Sequence, residues 1–181
     1  MGCSSSLNHR IEVVFSAPPT SNLRIRDIPL SDKRKNILRE SWKLIEPVKT
    51  DAGKKIFVRL FESYPKMLEV FPAFRSLLLQ EIINSRSLYL HAKRVMGALE
   101  NAVLALNDAE VFTEYLMNLG ERHLPWTLKM EHFDMLEDAM LWTLQDMLSS
   151  ACTEEVTEAW RELFRFIGAT MMRGLRRAYI T

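Results

Sequence analysis

The sequence predicts an all-α fold. Three observations carry this expectation. Beyond residue 31, apolar side chains recur at three- and four-residue steps through nearly every segment. No stretch shows a strand signal. The 7 Pro and 6 Gly are few, and most fall between the periodic segments, where they punctuate helices.

Taken in order, Ser31 is suited to cap a first helix with Asp32 in its first turn. Ile37, Leu38, Ser41, Trp42 and Ile45 form its apolar face, and Pro47 closes it. A second helix covers about Val48 to Ser63, with Gly53, Ile56, Phe57, Leu60 and Phe61 inward. Pro65 opens a short helix, where its missing N–H costs nothing, and Phe71-Pro72-Ala73-Phe74 makes a corner. Two further helices run from Leu88 to Leu106 and from Phe112 to His123. Phe133, Leu136, Met140, Leu144, Met147 and Leu148 face inward from the next. The last follows Thr153 and buries Val156, Trp160, Leu163, Phe164, Ile167, Met171 and Leu175. Seven to eight helices are expected.

The unusual feature is a histidine in each of two apolar stripes. Leu88, His91, Val95, Ala98, Leu99, Ala102, Val103 and Leu106 make one stripe, and Phe112, Tyr115, Leu116, Leu119 and His123 the other. A buried ring nitrogen needs a partner, because an unpaired polar group is costly away from water. Either imidazole alone reads most simply as a hydrogen-bonded core residue. Two, on helices joined by a short loop, point to something between them that accepts nitrogen ligands. His9, in the N-terminal segment, and His132, beside a helix start, receive no role. The 10 Met and the aromatics read as core packing.

Composition sets the remaining bounds. Lys+Arg 24 against Asp+Glu 23 leaves a net charge of +1, so no global field marks a nucleic-acid partner. A hydrophobic share of 48% is enough for one core, so one domain with a tail is expected: 1–30 as a flexible tail and 31–181 as the folded part. No apolar run approaches the roughly 18 residues that span a bilayer, and no secretory signal is read. Two cysteines, Cys3 and Cys152, exclude a disulfide framework and fit a reducing compartment. The start, Met1-Gly2-Cys3-Ser4-Ser5-Ser6, matches the N-myristoylation pattern at Gly2, with Cys3 beside it for palmitoylation. One myristoyl chain gives only about 10⁴ M⁻¹ of membrane affinity, so stable anchoring takes both chains. The plainer reading is a serine-rich start with a chance glycine. Arg10, Arg24, Arg26, Lys33, Arg34 and Lys35 outnumber the nearby acids, which suits an anionic leaflet as well as a solvated linker.

From Ser31 to Thr181 the sequence resembles the globins. Trp42 stands fifteen residues before Phe57; Pro65 is followed by Phe71 and Phe74; His91 has Val95 four residues on; Leu119-Gly120-Glu121-Arg122 leads into His123. In this order and spacing the matches are specific. Within that family, His91 to Leu99 is most similar to the cytoglobins, and the acylation pattern to the membrane-bound globin X group. Leu124-Pro125-Trp126 departs from the family pattern.

The resemblance implies a globin fold around a haem pocket, with haem b bound non-covalently, since no C-x-x-C-H is present. It implies His123 as the proximal iron ligand and His91 as the distal residue, which either ligates iron or hydrogen-bonds bound oxygen. Phe57, Phe71, Phe74, Val95, Leu119 and Leu128 would contact the macrocycle, with Met130 a further candidate. Arg94 would either pair a propionate or stay solvated. Diatomic gases and a redox partner are the expected partners. The expected location is the cytoplasmic face of the plasma membrane, held through Gly2 and Cys3. A tether suits redox or nitric oxide and nitrite chemistry better than oxygen carriage, which benefits from free diffusion. Reversible oxygen storage is the alternative, and a haem-free signalling scaffold would have no need of both histidines.

Overall fold

A computed structural model describes residues 28–180. Seven α-helices follow one another: α1 (Asp32–Ile45), α2 (Lys49–Ser63), α3 (Leu79–Ile83), α4 (Arg86–Leu104), α5 (Ala109–Arg122), α6 (Met130–Leu148) and α7 (Glu154–Ile180). No strand occurs among the described residues. The all-α expectation holds.

Local chemistry explains most of the starts. Ser31 Oγ accepts from the Arg34 amide, Ser85 Oγ from Leu88 and Asp108 Oδ1 from Val111, each at 3.1–3.2 Å. These are N-caps, each worth about 1 kcal/mol against alanine. The short α3 was not foreseen. Five residues are too few to show a period, and the Glu81 carboxylate that accepts from the Leu78 amide at 2.7 Å is its visible signal. The Pro65 segment forms a 3₁₀ turn over Pro65–Val70.

Packing joins the ends of the chain. Trp160 is 1% exposed, and its Nε1–H donates to Ser41 Oγ at 2.9 Å. Ser41 passes the bond on to the Ile37 carbonyl at 2.8 Å, so a serine in an apolar stripe has its reason. Trp42 lies against Trp160, with ring centroids 6.1 Å apart. Ile28 and Leu30, at the end of the expected flexible tail, are buried against this core. Outside them, Lys33 pairs with Glu155 at 2.5 Å and Arg34 donates to the Glu155 carbonyl at 2.8 Å.

Two close helix approaches place the rest. At Gly53, α2 meets α4 so closely that a β-carbon there would lie 3.0 Å from the Ala92 carbonyl oxygen and 2.6 Å from Met96 Cγ. Between α5 and α7 the approach is tighter still. A methyl group on Gly120 would overlap the Met171 backbone carbonyl, and one on Gly174 would overlap that of Met117. Phe112 meets Phe166 one end earlier, and Glu121 pairs with Arg177 at the other end.

Candidate functional site

His91 follows from the Gly53 approach. Ala92, the next residue, is the one whose carbonyl faces Gly53, and Phe57 lies one turn beyond Gly53 on α2. Phe57 is therefore set against the His91 ring, centroids 5.1 Å apart and nearly edge-on at 68°. Phe71 approaches from the 65–74 corner at 5.4 Å and 82°. The two phenylalanines also meet each other at 6.0 Å. Phe74 stacks on Phe71 at 5.7 Å and touches Phe61, so it backs the cluster without reaching the histidine.

Among the described residues the His91 ring has aromatic neighbours and no hydrogen-bond partner. Burial pulls its pKa down to about 4, and the charges of His123 and Arg94 push the same way. Its imidazole is neutral at pH 7, with a lone pair free to donate. Arg94 is exposed one turn after His91 and joins no ion pair among the described residues.

His123 is held differently. It caps α5 with φ −89° and ψ 3°, and its amide donates to the Gly120 carbonyl at 2.9 Å. Its Nδ1 lies 2.7 Å from the Leu119 carbonyl oxygen. A carbonyl only accepts, so Nδ1 carries a proton, and in the uncharged ring the lone pair is left on Nε2. Such a backbone acceptor is how a ligating histidine is oriented and made more basic. Arg177 of α7 clamps this helix from outside, bonding Asn118 at 3.1 Å, Glu114 at 3.3 Å, and Glu121.

Both apolar stripes thin where the histidines lie. Leu88, Leu99, Ala102, Val103, Phe112 and Leu116 are buried, whereas His91, Val95, Leu119, His123 and Leu128 are half-buried. Phe71 is half-buried too, while Met130 is 39% exposed. The structure thus brings Phe57, Phe71 and His91 into contact, and puts His123 near enough for its charge to act on His91. No group of three or more His, Cys, Asp or Glu residues among those described could hold a metal by itself. Two imidazoles with apolar surroundings fit a metal that brings its other ligands in a flat apolar macrocycle. Gly2 and Cys3 lie outside the described residues. No described helix is long and apolar enough to cross a membrane.

Sequence reasoning gave no supporting role to four residues that the structure places around the site. Gly120 and Gly174 carry no periodic signal. His132 accepts the Lys129 amide at 3.1 Å and so starts α6, a role hinted at only by its place three residues into that segment. Trp126 lies against His123, with centroids 5.6 Å apart and planes tilted 58°.

Comparison with known proteins places this geometry. The Globin family model matches residues 54–171. Neuroglobin of Tetraodon nigroviridis is 32% identical over 146 residues, covering 80% of this chain and 92% of that protein. Cytoglobin-1 of Oryzias latipes is 29% identical over 144 residues, covering 78% and 81%. Among solved structures, a hexacoordinated haem protein from an anhydrobiotic tardigrade superposes with a TM-score of 0.76 at 23% identity, covering 82% of this chain and 97% of the other. The haemoglobin of the botfly Gasterophilus intestinalis gives 0.74 at 17% identity, covering 81% and 99%.

Proposed function

The chain belongs to the globin family, and from that premise we propose a membrane-tethered haem protein working in electron transfer or in oxygen, nitric oxide and nitrite chemistry. Globins bind diatomic gases, and that coarser activity comes with the family. Haem b, when bound, supplies reversible gas binding and one-electron redox change.

The observation that carries the reading is the unlike pair of histidines. His123 would hold the iron, because the Leu119 carbonyl fixes its tautomer and leaves Nε2 available. His91 would ligate from the other side. It is neutral, partly desolvated and without a hydrogen bond among the described residues, so its lone pair is available to a metal. Phe57 and Phe71 keep that ring edge-on and exclude water around it. Val95, Leu119, Leu128 and Phe71 would wall the macrocycle, with Phe74 behind Phe71. Arg94 stands at the solvent edge as the partner for a propionate.

Absorption spectra of the purified protein test this. The ferrous form is expected to be low-spin, and His91→Leu is expected to become five-coordinate and high-spin. A high-spin ferrous wild type would sink the bis-histidyl reading and favour reversible oxygen binding.

The tether belongs to the same proposal. Gly2 takes the myristoyl chain and Cys3 the palmitoyl chain, placing the domain on the cytoplasmic face of the plasma membrane. Each buried methylene contributes about 0.8 kcal/mol, and one chain alone gives only reversible binding. Gly2→Ala is expected to move the protein to the soluble fraction of cells. Cys3→Ser should leave weak, salt-sensitive association. A Gly2→Ala protein that stays with membranes as fully as wild type removes the tether.

A further inference from the structure

Leu124-Pro125-Trp126, the departure from the family pattern, folds into a 3₁₀ turn directly behind His123. Pro125 fixes φ at the start of the turn. The Trp126 amide then donates to the His123 carbonyl at 3.1 Å, and the Thr127 amide bonds back to the Leu124 carbonyl at 3.4 Å. Thr127 closes the turn at φ 49°, ψ 45°. A β-branched residue in the left-handed region is strained and persists only where its surroundings impose it. The outcome is that the indole is carried back onto the ring three residues earlier. Trp126 is 43% exposed, so core burial does not account for its position.

We propose that Trp126 is a positioning residue for the iron ligand, fixing the plane of the His123 imidazole. The inference rests on the haem-binding reading above. One hydrogen bond, from Nδ1 to the Leu119 carbonyl, sets the tautomer and one point of the ring. The ring can still rock about that point. The indole bears on the ring from the turn that follows the helix and limits this remaining freedom. The angle of an axial imidazole plane divides the metal's π-type d orbitals, so a fixed plane gives one narrow electronic state and a rocking one a spread of states.

Electron paramagnetic resonance of the ferric haem-loaded protein reads this directly. In Trp126→Ala the signal is expected to shift its g-values and broaden, and Trp126→Phe is expected to restore narrow lines. The unfolding midpoint of Trp126→Ala should move by no more than ~4 °C, as for other exposed positions. Where Trp126→Ala does not fold, Trp126→Leu, which keeps apolar bulk without the ring, carries the same comparison. Line positions and widths equal to wild type in the Ala or Leu variant overturn the proposal. A high-spin wild type moves the reading to the rhombicity of the high-spin signal, with the same two outcomes. Wild-type protein that binds no haem overturns the functional reading itself, and this inference with it.

Discussion

The two sides of the site are built on opposite principles. On the His91 side, α2 and α4 meet at Gly53 through a methionine side chain and one carbonyl, and the histidine is held by phenylalanine edges. On the His123 side, α5 and α7 meet backbone to backbone at two glycines, and the histidine is held by a hydrogen bond to a carbonyl. Aromatic edge contacts are worth about 0.5–1.5 kcal/mol each and have broad minima, so the first ring is easily displaced. A hydrogen bond on a helix that cannot slide, with the Trp126 indole against the ring, leaves the second ring one orientation. On the proposed reading, a ligand that leaves and a ligand that stays would differ in what surrounds them.

The strongest way to break this contrast is His123→Ala. Loss of the oriented imidazole is expected to abolish stable haem retention, measured as the Soret-to-protein absorbance ratio after gel filtration. Retention equal to wild type would mean that the proximal role lies elsewhere.

Helix approach comes next. Gly120→Ala must push α5 off α7 and is expected to cost 3 kcal/mol or more by denaturant unfolding, at the upper end of overpacking effects at roughly 1–3 kcal/mol. Gly53→Ala should cost about 1 kcal/mol, because Met96 can re-seat its flexible chain. Equal costs would erase the distinction between a rigid and a yielding side.

Acid should sharpen it further. In the haem-free chain, His91 has a folded pKa of about 4, below the 6.5 of an ordinary histidine. The unfolded chain thus binds the proton first. Stability is full above pH 6.5 and falls as the pH drops toward 4, by up to about 3 kcal/mol. His91→Leu should flatten that part of the profile, measured by urea midpoints across pH.

The smallest effect concerns His132, whose pKa is also lowered, chiefly by burial. Its neutral ring accepts the Lys129 amide. Protonation below its ordinary range removes the acceptor, so the cap is present at neutral pH and lost on acidification. His132→Ala should lose no more than about 1 kcal/mol at pH 7 and show a weaker acid slope.

The legible parts of the fold were those with long periods. Trp42, Phe57, His91 and His123 lie on stripes of two turns or more, and the structure puts each on the element expected. Parts set by contact between distant segments left no such trace. The close approach at Gly120 is defined by Met171, fifty-one residues away, and a glycine shows no face to a pattern. Trp126 reads as a loop aromatic until Thr127 turns left-handed and carries it onto His123. Ile28 and Leu30 follow Arg24 and Arg26 and flank Pro29, which hides the burial they reach. Gly2 and Cys3 lie outside the described residues.

The paired glycines also bear on how such a chain changes over generations. At Gly120 and Gly174 any side chain meets an opposing carbonyl, which no single compensating replacement can remove. Drift at either position is closed unless the whole helix pair separates. At Gly53 the obstacle includes Met96, a side chain that a second mutation could shorten. Variation is therefore channelled to the His91 side. On the proposed reading, a lineage could try new chemistries around His91 while inheriting the His123 side unchanged.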